Sequence, residues 1–347
     1  MTDNIVFTSD PGGEIARFVR ERKYSKICVL ADDQTALHCY PLLSSALPAH
    51  HLIKVASGEE HKNLQTCELV WREMTQQNLD RHSVMIVIGG GVLGDMGGFC
   101  AATYKRGIDF ILVPTTLLSQ VDASIGGKLG IDFLHFKNHI GVFQTPALTV
   151  LFSGFLSTLP EAEKRSGFAE VIKHALIADA DMWEEIRKHP LDAQPWGKLI
   201  PHSVEIKRKV VTSDRFETGL RKTLNAGHTI GHAVETHLLG ANRKILHGEA
   251  VAAGLVCEAW LAWKKNMLTT EAFESIQAYL LDVFGKVPLT QEDEEPVALL
   301  ALQDKKNKGN RILCVLLEGV GNAKWDCEIS PEEVKEAIAF YRRDQDK

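Results

Sequence analysis

Two imidazoles stand four residues apart in Asn225-Ala-Gly-His228-Thr-Ile-Gly-His232. On a helix that spacing puts both on one face, where they could converge on a single ligand or ion. Zinc takes three or four N, O or S donors at about 2.0–2.2 Å, and a catalytic site keeps one position open. A third donor must therefore come from elsewhere. His247 opens His247-Gly248-Glu249, after a polar loop and ahead of an apolar stretch. Glu170 lies in Gly167-Phe-Ala-Glu-Val-Ile-Lys173, amid apolar neighbours, where a charge is costly unless it is paired or metal-bound. Lys173 follows one helical turn later on the same face. His174, at i+4 from Glu170, could imitate a ligand, whereas His38, His50, His82 and His202 read as ordinary surface or core residues. Seven scattered cysteines form no C-x-x-C pair, so neither a disulfide framework nor a thiolate zinc site is expected.

A second constellation is the turn Gly89-Gly90-Gly91-Val92-Leu93-Gly94-Asp95, which matches G-x-G-x-x-G. It follows an apolar run over 84–88 and precedes a helix-compatible run over 96–103. Glycines let the backbone turn sharply and approach a pyrophosphate, which the following helix N-terminus favours. The turn follows a late strand rather than the first, so the ordinary dinucleotide fold is not a simple match. Ser57-Gly58-Glu59-Glu60 and Asp32, each at the end of an apolar run, offer carboxylates for ribose hydroxyls. Gly126-Gly127-Lys128 is followed by Leu129, not Ser or Thr, so no Walker A loop is present and ATP hydrolysis is disfavoured. Lys128, Lys137, Lys173, Lys207, Arg221 and the Lys305/Lys306 pair, gathered around a metal and a nucleotide, would suit a small anionic substrate, a phosphate or carboxylate.

The elements that must carry these groups change character along the chain. Apolar runs over 27–31, 51–56, 84–88, 110–113 and 148–152 are expected when helices cover both faces of a parallel sheet. With helical spacing over 63–77 between them, they predict a doubly wound, Rossmann-like α/β domain over residues 1–155. Helical patterns over 162–178, 193–211, 225–237, 249–264 and 271–284, with one strand over 312–317, predict a mainly helical metal-binding domain over 156–347. The cleft between the two is the default active site. The 347 residues carry 45% apolar and 24% charged side chains and a formal charge of −6, as a soluble globular protein does. No apolar run approaches the ~20 residues that span a bilayer. No basic tail invites nucleic acid. Residues 1–10 are acidic and polar rather than leader-like, so a cytoplasmic location is expected.

Taken together the motifs resemble one family, 3-dehydroquinate synthase, within the sugar phosphate cyclases. The stretches are Ser57-Gly-Glu-Glu-His-Lys-Asn63, residues 89–99, Ala101-Ala-Thr-Tyr-Lys-Arg-Gly107, Val113-Pro-Thr-Thr-Leu-Leu-Ser-Gln-Val-Asp122 and Ser124-Ile-Gly-Gly-Lys128. Then come Lys137-Asn138, residues 167–173, Gly219-Leu-Arg221, residues 225–232, His247-Gly-Glu-Ala-Val251 and Asp304-Lys-Lys306, in order over nearly the whole chain.

The resemblance implies NAD and a divalent metal, zinc or cobalt, held by Glu170, His228 and His247, with His232 left near the substrate. Gly91, Val92, Gly94, Asp95, Thr115 and Thr116 would hold NAD, with Asp32, Glu59 and Lys62 towards its adenosine end and Lys128 and Lys137 also on the cofactor side. Asp122, Lys128, Asn138, Lys173, Lys207, Arg221, Asn225 and His232 would line the substrate pocket. Arg106 looks like the arginine that reaches a phosphate across a dimer interface, so a homodimer is expected.

The implied reaction is a lyase step of the shikimate pathway, from 3-deoxy-arabino-heptulosonate 7-phosphate to 3-dehydroquinate and phosphate. Transient oxidation at C5 acidifies the neighbouring C–H, phosphate is eliminated, the hydride returns, and an intramolecular aldol closes the ring. A cyclase acting on sedoheptulose 7-phosphate or glucose 6-phosphate, and a metal-dependent polyol dehydrogenase, are the rival readings. The sequence departs from the family where it commonly reads Gly-Gly-Lys-Thr-Gly-Val-Asn-His-Pro-Leu-Gly-Lys-Asn. Here Leu129 replaces a hydroxyl and Asp132 an amide, with spacing intact.

Overall fold

A computed structural model describes residues 4–134, 136–214, 217–303 and 311–343. The chain divides into two compact units, Met1–Pro160 and Glu161–Lys347.

The first unit runs β1 (Ile5–Phe7), α1 (Pro11–Arg22), β2 (Ile27–Asp32), α2 (Asp33–His38), α3 (Pro41–Ser44), β3 (His51–Val55), α4 (Leu64–Gln76), β4 (Val84–Gly89) and α5 (Gly91–Thr103). It continues with β5 (Asp109–Pro114), β6 (Lys128–Phe133), β7 (Phe136–Phe143) and β8 (Leu148–Leu151). Six strands form one sheet in the order β1-β8-β5-β4-β2-β3, every pairing parallel. The uninterrupted apolar runs follow from this arrangement. Along β4, Met85 and Val87 enter one core while Val84, Ile86 and Ile88 enter the other, on the opposite face. Each such side chain, fully buried, contributes about 1.5–3 kcal/mol. Strand order reverses between β2 and β4, and the glycine turn lies at the carboxyl end of β4, where open α/β sheets bind ligands. That position removes the difficulty of the turn following a late strand.

Separate from the sheet, β6 and β7 form an antiparallel hairpin that the sequence pattern does not announce. Leu129 and Ile131 are buried in the unit's core, whereas Phe133, Leu134 and Phe136 are exposed.

The second unit comprises α6 (Glu161–Ala178), α7 (Ala180–Ile186), α8 (Trp196–Ser213), α9 (His228–Gly240), α10 (His247–Lys264), α11 (Thr270–Phe284) and α12 (Glu294–Leu302). The antiparallel pair β9 (Ile312–Leu317) and β10 (Ala323–Ile329) and the helix α13 (Pro331–Arg343) complete it. Apolar on nearly every side, α10 packs against α6, α9, α11 and α13. Two expected boundaries move for local reasons. The helix expected over 225–237 starts at His228, because residues 220–225 form a 3-10 turn and Gly227, with a left-handed φ of 76°, stands at the N-cap. The one expected over 249–264 starts two residues earlier, at His247, where Glu249 accepts from the Leu246 N–H at 3.0 Å. Both histidines of interest are thus the first residues of helices. No helix among the described residues is long and apolar enough to cross a membrane.

Candidate active site

In the second unit three elements bring one carboxylate and two imidazoles together. Glu170 and Lys173 sit three residues apart on α6, both buried to 1% exposure, and their side chains form an ion pair. The other Glu170 oxygen, Oε1, lies 3.4 Å from His228 Nε2 and 3.8 Å from His247 Nε2. It is buried with no hydrogen-bond partner. Each histidine has its other nitrogen engaged. The His228 Nδ1–H donates to the Ala226 carbonyl at 3.0 Å, and His247 Nδ1 meets Glu235 Oε2 at 3.1 Å. These contacts at Nδ1 orient both rings with Nε2 towards Glu170, the second-sphere pattern of metal-binding histidines.

The donor spacing suits one ion. Ligands about 2.0–2.1 Å from a tetrahedral centre lie about 3.3 Å apart; the Glu170–His228 separation of 3.4 Å is close to that, and the Glu170–His247 separation of 3.8 Å is somewhat longer. Without an ion the charges compete. Burial alone would raise the Glu170 carboxyl, but the Lys173 ammonium and the imidazoles hold it well below the usual carboxylate range. Burial pushes His228 down, helped by Lys173. Burial would lower His247 too, yet Glu170 and Glu235 push it up to about 10. His232, whose pairing with His228 the spacing suggests, is exposed, 4.9 Å from His228 between ring centres, and close enough to both histidines to form an alternative donor triad. The two sets differ in burial: the Glu170 carboxylate is enclosed beside Lys173, whereas His232 is exposed.

The helix α8 and the 3-10 turn that pack against α6 carry further cations and an amide. Lys207 on α8 and Arg221 in the 3-10 turn are buried. Asp214, held down to about 2 chiefly by the Gly219 N–H, also accepts from the Arg221 N–H at 3.1 Å. Asn225 donates to Glu217 Oε1 at 2.7 Å, an acid that motif reading passed over. His174, fully buried, meets Ser203 Oγ at 2.6 Å, which gives it a structural role. Lys305 and Lys306 lie outside the described residues.

The first unit holds the nucleotide-type residues. Gly91 opens α5, and Val92, Gly94 and Asp95 lie in its first turns. A side chain at Gly94 would meet nothing within 4 Å, leaving room for a ligand against the backbone. Asp95, Lys128, Ser119 and Gly127 line one cleft with the glycine turn. The Thr115 N–H donates to Gly89 O at 3.0 Å, and Thr116 Oγ1 meets Ser119 Oγ at 2.9 Å. Asp122 lies in the π-type turn just beyond. Asp32 caps α2 through the Thr35 N–H at 2.7 Å, and Glu59 is exposed on a short 3-10 turn. Lys62 is buried, its ammonium donating to Asp95 Oδ2 at 2.7 Å and Asn138 Oδ1 at 2.6 Å. Lys137 is exposed on β7. Arg106 is exposed on a turn where Lys105, Arg106 and Gly107 all take positive φ, a strained arrangement of the kind that clusters at functional sites.

Residues 52–166 match the N-terminal model of 3-dehydroquinate synthase, and residues 167–307 match its C-terminal model. A 3-dehydroquinate synthase of Parabacteroides distasonis is 35% identical over 97% of both chains. The chain belongs to the 3-dehydroquinate synthase family.

Another member, from Halorhodospira halophila, is 42% identical over 82% of each chain. Among solved structures, the 2-epi-5-epi-valiolone synthase of Streptomyces hygroscopicus, with NAD+ and Zn2+ bound, superposes with a TM-score of 0.86 at 24% identity, covering 99% of this chain and 98% of its own. A 2-deoxy-scyllo-inosose synthase complexed with carbaglucose-6-phosphate, NAD+ and Co2+ gives 0.82 at 23%, covering 96% and 95%. At such identities these two establish the fold, a parallel sheet with helices followed by a mainly helical unit.

Against the 3-dehydroquinate synthase pattern, the unusual hairpin now has a physical account. Leu129 is buried against α5, where a side chain at Gly98 would come within 2.5 Å of its Cδ2. Asp132 Oδ1 accepts the Asn138 N–H at 2.7 Å, holding Asn138 at a φ of 50° beside Lys62. Leu129 thus serves core packing, and the Asp132 carboxylate braces the backbone of a candidate pocket residue.

Proposed function

We propose that this chain is a homodimeric, cytoplasmic lyase that converts 3-deoxy-arabino-heptulosonate 7-phosphate to 3-dehydroquinate and phosphate, using NAD and one divalent ion, zinc or cobalt. The observation that carries the reading is the convergence of Glu170 Oε1 with the Nε2 atoms of His228 and His247, in a chain of this family. NAD supplies a reversible hydride acceptor, and the ion a Lewis acid for the oxygen being oxidised.

The chain's own groups do the rest. Glu170, His228 and His247 hold the ion, and Lys173 offsets the buried carboxylate and offers an N–H to a substrate oxygen. Lys207 and Arg221 take the substrate's carboxylate and phosphate and fix its conformation for ring closure. Asn225, Asn138 and Asp122 orient hydroxyls. His232, exposed beside the two ligand histidines, contacts the substrate. Gly91, Val92, Gly94, Asp95, Thr115 and Thr116 seat the nucleotide against the N-terminus of α5, and Asp32 and Glu59 face the ribose end. Arg106, on its strained turn, serves the phosphate of the partner subunit's site.

The test is phosphate release from metal-loaded protein with NAD and each of three sugar phosphates. Release from the heptulosonate phosphate alone, with no standing NADH, is expected. Preference for sedoheptulose 7-phosphate or glucose 6-phosphate would assign another cyclase activity, and NADH accumulation with polyols a dehydrogenase.

A further inference from the structure

The two helices that begin with His228 and His247 are fastened by a pair of carboxylates, each lent by one helix to the other's beginning. They pack antiparallel and close. A side chain at Gly254 of α10 would sit 2.0 Å from the Gly227 carbonyl oxygen, and one at Gly231 of α9 would sit 2.8 Å from the Ala250 carbonyl oxygen. Across this seam Glu235, two turns into α9, reaches His247 Nδ1 at 3.1 Å. In the opposite sense Glu258, three turns into α10 and 3% exposed, accepts the Gly227 N–H at 2.6 Å and the Ile230 N–H at 3.3 Å. No side chain of α9 itself caps its N-terminus, so the capping acceptor comes from the neighbouring helix.

We propose that Glu235 and Glu258 are positioning residues, a reciprocal clasp that sets the affinity and geometry of the ion held by Glu170, His228 and His247. The proposal rests on the metal reading above. Glu235 fixes the His247 tautomer and raises the basicity of its Nε2; Glu258 fixes the backbone from which His228 projects. Outer-sphere partners of metal-binding histidines cost about 10–100-fold in metal affinity when removed. A carboxylate used only to stabilise the helix pair would lower the melting temperature and leave metal binding alone.

The experiment is Co2+ binding to the full chain by competition with a chelator, with the visible absorption of bound Co2+ recorded alongside, for the wild type, E235Q, E258Q and H247A. E235Q should bind about 10–100-fold more weakly with a changed absorption band. E258Q should weaken about 10-fold, since an amide can accept only one of the two N–H groups and leaves the other unpaired. H247A should lose binding outright. Wild-type affinity and spectrum in both Glu variants, with H247A defective, overturns the clasp while leaving the metal site standing. Undiminished binding by H247A overturns the metal reading and the clasp with it. If E258Q does not fold, E235Q, partly exposed at its side chain, decides the matter alone.

Discussion

Gly254→Ala should injure this protein more than a methyl group ordinarily does. The added Cβ would lie 2.0 Å from the Gly227 carbonyl oxygen and 2.7 Å from the Gly231 nitrogen, both backbone atoms that no rotamer change can move aside. Ordinary contact begins near 3.4 Å, so α9 and α10 must part by roughly 1.4 Å. Overpacking of this kind costs about 1–3 kcal/mol, and backbone against backbone belongs at the upper end. For a unit of this size that lowers the melting temperature by about 6–12 °C. The displacement also acts on chemistry, because Gly227 directly precedes His228. Metal sites tolerate about 0.2 Å in ligand distance, and a shift near 1 Å costs on the order of 100-fold in turnover. Gly240→Ala is the control. It ends the neighbouring helix, α9, with nothing within 4 Å of the added carbon, and should stabilise by about 0.5–1 kcal/mol. Thermal unfolding of both variants and chelator competition for their metal are the assays. A G254A protein that melts within about 1 °C of the wild type and binds metal equally well would refute the close-seam argument.

Three further outcomes are expected. His247→Ala should abolish metal retention and turnover together, whereas His232→Ala should keep its metal and lose turnover; metal content and phosphate release, measured side by side, separate them. Arg106→Ala should be nearly inactive, yet mixed with H247A it should recover about a quarter of wild-type activity, because half the dimers then carry one intact site; no recovery in well-mixed dimers contradicts the shared site. Asp293 accepts from His237, Arg243 and the Thr290 N–H. Burial would raise its carboxyl, but these donors hold it well below the usual range. A depressed folded value means stability present above about pH 3.9 and lost as pH falls towards the folded value. Urea midpoints between pH 5 and 2 should therefore fall more steeply for the wild type than for D293N, and equal slopes would contradict that linkage.

Much of the fold was readable because its physics is local. Continuous apolar strands such as Val84–Gly89 announce a sheet covered on both faces, and Gly89-Gly90-Gly91 ends one visibly. Other elements escaped for stated reasons. Ile5–Phe7 is three residues on a sheet edge, too short to show a pattern. The β6–β7 hairpin mixes three buried residues, Leu129 to Ile131, with exposed apolar residues such as Phe133 and Phe136, too short a buried run to announce a strand. In α13, Val334, Ala337, Ile338 and Tyr341 do repeat at helical spacing, a signal present but not taken up. Within the site, the i,i+4 histidines drew attention to His232, while Glu170 became a candidate through its apolar setting and the family likeness. Glu235 and Glu258 left no trace in the sequence. An acid on a helix reads as a solvated face until the neighbouring helix is known.

The most direct measurement is anomalous diffraction at the cobalt edge from crystals grown with Co2+ and NAD. One peak is expected about 2.0–2.2 Å from a Glu170 oxygen and from the Nε2 atoms of His228 and His247, with His232 outside bonding distance. A peak bound by His232 in place of Glu170, or no peak among these residues, would contradict the assignment on which the proposed chemistry stands.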